Sequence, residues 1–157
     1  MKYYLLLIAV FMAGLIACDD DTKVCDLDTR TEARAIFRYL NPNNNNVEED
    51  TIFPKLTLFA LGRDSIYKQR PGLSGMQFQL DRGADSARYY FQTDSARIAD
   101  TLTFRYARQP HFISAGCGVV MYFNIDTVFS THHVVQSVSI TSKQVTEENE
   151  NTIILHF

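Results

Sequence analysis

Thr101-Leu102-Thr103-Phe104-Arg105-Tyr106 decides the fold. Leu102, Phe104 and Tyr106 fall on one side of an extended chain, and Thr101, Thr103 and Arg105 fall on the other. That period of two marks a half-buried strand. Met76, Phe78 and Leu80 repeat the pattern against Gln77 and Gln79, and Ala87, Tyr89 and Phe91 repeat it again. Asp81-Arg82-Gly83-Ala84-Asp85 and the residues around Thr93-Asp94-Ser95 break it, as turn formers do.

Working outward, residues 32–40 alternate Ala33, Ala35, Phe37 and Tyr39 with Arg34, Ile36, Arg38 and Leu40. Ala and Arg allow a helix there, but aromatic and β-branched residues two apart favour a strand. Asn41-Pro42 and Asn43 to Asn46 form a loop. Leu56, Leu58 and Ala60 share a parity, and residues 65–68 continue after Gly62-Arg63-Asp64. Gln109-Pro110 reads as an interruption. Gly116-Cys117-Gly118 introduces the most apolar strand, with Val119, Met121, Phe123 and Ile125 on one face and Val120 and Tyr122 on the other. Such a strand belongs near the centre of a sheet. Val134, Val138 and Ile140 face away from Ser137, Ser139 and Thr141, and Ile153, Leu155 and Phe157 close the chain as a final strand. About eight short strands and no convincing helix predict an all-β domain over residues 32–157: an antiparallel, immunoglobulin-like β-sandwich, with a small closed β-barrel as the alternative.

The N-terminus carries an address. Met1-Lys2, an apolar run from Tyr3 to Leu15 and a small residue, Ala17, make a secretory signal. The run is short for a membrane span, which takes roughly 20 residues. Leu15-Ile16-Ala17-Cys18 resembles the bacterial lipobox. The resemblance implies that signal peptidase II removes residues 1–17 and that Cys18 takes acyl chains, palmitate among them, on sulfur and amine. Residues 18–31 then form the lipidated cysteine and a short tether. Asp19-Asp20-Asp21 resembles the acidic surface-export signal beside the acylated cysteine of Bacteroidetes lipoproteins. It implies a lipid anchor in the outer membrane with the domain exposed at the surface. An Asp beside the cysteine implies inner-membrane retention in enterobacterial lipoproteins, and a plain charged linker is the bland reading.

Removal of residues 1–17 leaves 140 residues, enough for one core. With Lys2 gone the formal charge moves from −3 to −4. No run of Lys or Arg offers an electrostatic footprint, so nucleic acid is not an expected partner. Cys25 and Cys117 remain as an even pair in a compartment that permits disulfides. A disulfide between them is the favoured reading, beside two free thiols or a metal pair. It would hold the leash from Cys18 to roughly 20–25 Å, which favours a partner in or beside the bilayer.

Phe112-Ile113-Ser114-Ala115-Gly116-Cys117-Gly118, Tyr122-Phe123-Asn124-Ile125-Asp126-Thr127 and Thr131-His132-His133-Val134-Val135, with the apolar last strand, resemble a family of uncharacterised small lipoproteins of the Bacteroidales, a domain of unknown function. The resemblance covers most of the mature chain. It implies an address and a fold but no activity.

Signatures of chemistry are few. Gly-x-Ser-x-Gly, His-Glu-x-x-His, Cys-x-x-Cys and Gly-rich phosphate loops are all absent. His132-His133 is the sharpest pair, but neighbours on a strand face opposite ways and share no metal without a bulge or turn. A copper or zinc site would need His111 or His156 folded alongside. No metal or other cofactor is expected. Tyr90 and Tyr122 lie opposite the apolar faces of their strands, either as platforms for sugars or as the second face of a buried strand.

Asp followed by Ser or Thr and then an apolar residue or Thr occurs six times where composition predicts about one. The pattern resembles the O-glycosylation sequon of exported Bacteroidetes proteins and makes Thr51, Ser65, Ser86, Ser95, Thr101 and Thr127 candidate acceptors. Turns that open onto strands give the same pattern without any sugar. The leading expectation is a non-enzymatic envelope lipoprotein that binds a membrane-proximal protein or an envelope glycan. A glycan-binding accessory of an outer-membrane nutrient-uptake system and a carboxylate-based hydrolase are the alternatives.

Overall fold

The structure is a computed structural model that describes residues 30–44, 47–148 and 150–157. Cys18, Cys25 and Asp19 to Asp21 lie outside the described residues. Eleven strands follow in chain order: β1 (Ala33–Asn41), β2 (Val47–Asp50), β3 (Leu56–Ala60), β4 (Ser65–Arg70), β5 (Gly75–Phe78), β6 (Ser86–Gln92), β7 (Asp100–Ser114), β8 (Gly118–Phe129), β9 (Ser137–Ile140), β10 (Gln144–Val145) and β11 (Asn151–His156). No helix occurs among the described residues.

Two sheets pack face to face, as the alternation predicts. One runs β2-β1-β11-β9, with β5 also on β1; the other runs β10-β8-β7-β6-β3-β4 and curls toward a half-barrel. β1 organises the first sheet. Its one edge takes β11, and its other edge is shared by β5 along Ala33 to Ile36 and β2 along Arg38 to Asn41. Every pair is antiparallel except β1 with β11, which is parallel. The close approach of β5 requires a glycine, since a Cβ on Gly75 would stand 2.6 Å from the Ala35 carbonyl oxygen.

Met76, Phe78, Leu80, Tyr89, Phe91, Leu102, Phe104 and Tyr106 are all buried, as their parity predicts. Phe37, Phe53, Phe91 and Phe157 meet at one end, where the Phe53 and Phe157 centroids lie 4.7 Å apart. Phe78, Tyr89 and Phe104 fill the middle. Each such ring pair adds about 0.5–1.5 kcal/mol beyond its buried area.

Three readings change. Gln109-Pro110 does not interrupt, because β7 continues to Ser114. The neighbouring β6 stops at the Ser86–Arg105 pair, so Pro110 meets no ladder on that side. β8 is not central along its whole length: it lies between β7 and the two-residue β10, and Val119 is 63% exposed. His132 and His133 precede β9 in an irregular loop, with His132 at φ +57°.

β5 and the loop behind it are pinned by tyrosines of the other sheet. The Tyr67 hydroxyl accepts from Gln77 N and donates to Gln77 O, at 3.0 and 3.1 Å. The Tyr89 hydroxyl donates to Gln79 O at 2.5 Å. The Tyr106 hydroxyl accepts from Asp81 N and donates to Asp81 O, both at 3.0 Å. Alternate residues of an edge that no strand covers thus find partners in phenols.

Candidate functional site

The pinned loop forms one wall of a cleft of about 860 Å³. The ends of β3 and β6 form the other wall. β3 and β6 pair with Ala60 opposite Tyr89, so the chain leaving β3 at Leu61 and Arg63 faces the start of β6. Arg30, Arg63, Arg82 and Arg88 line the cleft over a floor that includes Leu80 and Tyr89. Arg63 Nη2 is 2.9 Å from Asp81 Oδ2, and both side chains remain part-exposed. Arg30, Arg82 and Arg88 are exposed and make no ion pair among the described residues. Four guanidinium groups against one carboxylate, in a chain of formal charge −3, make the cleft a local positive region. Guanidinium forks suit planar carboxylates and phosphates, which they bind two hydrogen bonds at a time. Burial pushes the Tyr89 and Tyr106 hydroxyls above the usual phenol range, so both stay protonated donors at neutral pH.

Nothing in the sequence marked these arginines, which are scattered from 30 to 88 and form no run. The pairing of β3 with β6, the course of the pinned loop and the segment ahead of β1 bring them together.

The aromatic candidates lie where their parity placed them. Tyr90 stacks on Phe59 at 4.6 Å and 14° across β3 and β6, opposite the core face. Tyr90 and Arg88 are two apart on β6 and share that outer face. Tyr122 stacks on His111 at 4.4 Å beside a smaller cleft of about 300 Å³ lined also by Glu147, Glu148 and Glu150. Burial and the hydrogen bond to Glu147 push Tyr122 up to about 12.

Asp100, a residue of the Asp-Thr-Leu pattern, has a different part. Its carboxylate is buried and accepts from Thr131 Oγ1 at 2.7 Å, His133 N at 2.7 Å, Val134 N at 2.8 Å and Val135 N at 2.9 Å. Burial pushes Asp100 up, and these donors together outweigh it and hold the carboxyl below its usual range. His133 Nδ1 lies 3.3 Å from the same carboxylate. His132 Nδ1 faces Gln136 O at 3.0 Å, and His156 sits between Glu48 and Ser139. His111 is on the hairpin at the far end of the sheet. No group of three His, Cys, Asp or Glu among the described residues is placed to hold a metal ion.

The candidate acceptors are dispersed. Ser65 opens β4 and Ser86 opens β6, both exposed, and Ser95 is exposed in the loop before β7. Thr51 and Thr101 are part-buried, and the Thr127 Oγ1 atom is buried. Cys117 lies in the turn between β7 and β8, where its N–H donates to Ser114 Oγ. Its expected partner, Cys25, is outside the described residues. Thr31, expected as the last tether residue, is buried, and its hydroxyl donates to Met121 O at 2.8 Å.

No curated protein and no solved structure matches the chain. A match to a family does exist, over residues 55–157, which hold β3 to β11 and three of the four cleft arginines. The chain therefore belongs to the family described as "Family of unknown function (DUF6452)".

Proposed function

We propose that the protein is a non-enzymatic lipoprotein of the cell envelope, anchored through Cys18, whose sandwich binds an acidic glycan next to the membrane. The observation that carries this reading is the gathering of Arg30, Arg63, Arg82 and Arg88 around one cleft with a single carboxylate, Asp81. The anchor rests on the lipobox and the acidic run behind it. A Cys25–Cys117 disulfide fits the same picture. Thr31 is bonded to Met121, four residues along β8 from Cys117, and the six residues from Thr31 back to Cys25 reach roughly 20 Å when extended.

A role as the glycan-binding accessory of an uptake system draws on the Phe59–Tyr90 stack, which shares the outer face with Arg88 at the cleft. Aromatic faces beside charged groups suit an acidic sugar better than a bare phosphate. A carboxylate-based hydrolase has less support, because its two carboxylates must face one bond at roughly 5–10 Å. The large cleft holds only Asp81, which Arg63 engages.

Calorimetry of the full-length protein with a uronic-acid oligosaccharide and its neutral counterpart tests the proposal. The acidic sugar is expected to bind and the neutral one to bind at least tenfold more weakly. Arg82→Gln and Arg88→Gln together should weaken the acidic ligand by about tenfold or more, since a hydrogen bond to a charged group contributes about 1.5–3 kcal/mol. Equal affinity for both sugars, or an unaffected double variant, overturns it.

A further inference from the structure

We propose that the tip of the β7–β8 hairpin, led by Phe112 and Val119, enters the lipid interface on which the chain is anchored. The inference rests on the anchor reading above but uses a different part of the molecule from the cleft. β7 outruns its sheet. Its pairing with β6 ends at Arg105, and β8 is covered by β10 only at Phe123 and Asn124. Beyond those points the two strands run on as a ribbon to Ser114 and Gly118, paired only with each other.

Phe112 and Val119 are direct cross-strand partners near the end of that ribbon. They continue the face that holds Phe123 and Met121, yet they are 64% and 63% exposed because no second sheet reaches them. Four residues of strand separate Phe123 from Val119, so the pair stands about 13 Å beyond the last core ring. That suits insertion to the usual interfacial depth of about 5–10 Å.

Three further observations point the tip toward a bilayer. Thr31 is bonded to Met121 on the ribbon and Arg30 lines the cleft, so the described residues begin at this end of the sandwich. Residues 112–120, the tip itself, carry no charged side chain, and Glu147, Glu148 and Glu150 stand behind it beside His111 and Tyr122. The arginine cleft opens at the same end, beside the loop that Arg108 grips through Asp85 Oδ1 and Arg82 O. Apolar residues in front of guanidinium groups match acyl chains in front of phosphates.

The native chain contains no tryptophan, so Phe112→Trp provides a single reporter at an exposed position. The full-length lipoprotein is reconstituted into phosphatidylethanolamine–phosphatidylglycerol vesicles, with or without brominated acyl chains, and checked by flotation. The expected result is a blue-shifted emission that brominated lipid reduces by at least half. Ile98→Trp, exposed at the opposite end of the sheet, should float equally and keep its full emission. A floating Phe112→Trp chain that is not quenched, or equal quenching of both variants, overturns the inference and leaves the anchor intact. A blue shift already present without lipid overturns it in favour of a second protein surface. Failure to float refutes the anchor and the inference together.

Discussion

Asp100 ties a whole loop to the start of β7 through one buried carboxylate. Its carboxylate takes four donors from residues 131–135 and so fixes a loop that has no ladder of its own. Asp100→Asn turns one acceptor oxygen into a donor that faces N–H groups, and removal of a buried, hydrogen-bonded charge costs about 2–4 kcal/mol. Urea unfolding at neutral pH should show that loss. The pH dependence follows from the lowered carboxyl of the folded state. The stabilisation is complete above the unfolded value of about 3.9 and fades as pH falls through the lower folded value. The gap between the native chain and Asp100→Asn should therefore narrow below about pH 4, and a gap independent of pH would count against the charge. As a residue pattern, Asp100-Thr101-Leu102 reads as a sequon or a turn. The four donors that give Asp100 its part come from more than thirty residues away, so no local pattern announces them.

Elements were legible in proportion to their apolar content. β5, β6 and the first half of β7 alternate cleanly and bury the faces that the alternation selects. β2 reads Val47-Glu48-Glu49-Asp50 and β10 only Gln144-Val145, so neither has a period, and each exists because a neighbour offers an edge. Pro110 misleads for the complementary reason. Proline breaks a ladder only where a neighbour needs its N–H, and sequence does not say where β6 ends. The phenol pins on β5 are equally invisible, yet they can be tested. Tyr106→Phe leaves Asp81 N–H and C=O without their partner and should cost about 1–3 kcal/mol. Burial raises the Tyr89 and Tyr106 hydroxyls, so above about pH 10 the unfolded chain loses protons that the folded chain keeps. Stability should then fall with rising pH by about 1.4 kcal/mol per unit for each tyrosine. Denaturation between about pH 9 and 11 checks this, with Tyr89→Phe expected to flatten the slope.

At the scale of the molecule, the sandwich was readable, and its closure was not. Two packed sheets follow from alternating faces that each need an opposite face. The parallel β1–β11 pair and the convergence of Arg30, Arg63, Arg82 and Arg88 depend on register between distant segments, which no single stretch encodes. The stretch shared with the family, residues 55–157, lacks β1. A chain beginning at residue 55 leaves β5 without a partner strand, leaves β11 with β9 alone and uncovers the core beside the missing Phe37. It is expected to be insoluble or molten, whereas a chain beginning at residue 30 should unfold cooperatively; thermal melts of both decide.

The pairing of β1 with β11 also sets a schedule. Thr152 Oγ1 donates to the Arg34 carbonyl, a contact that closes over 118 residues. A chain synthesised from its N-terminus delivers β1 first and the strand that completes it last. Until then the first sheet has no centre, and contacts of such long separation form slowly. The protein thus has a built-in delay: it stays pliable until its last strand has arrived and becomes rigid only then.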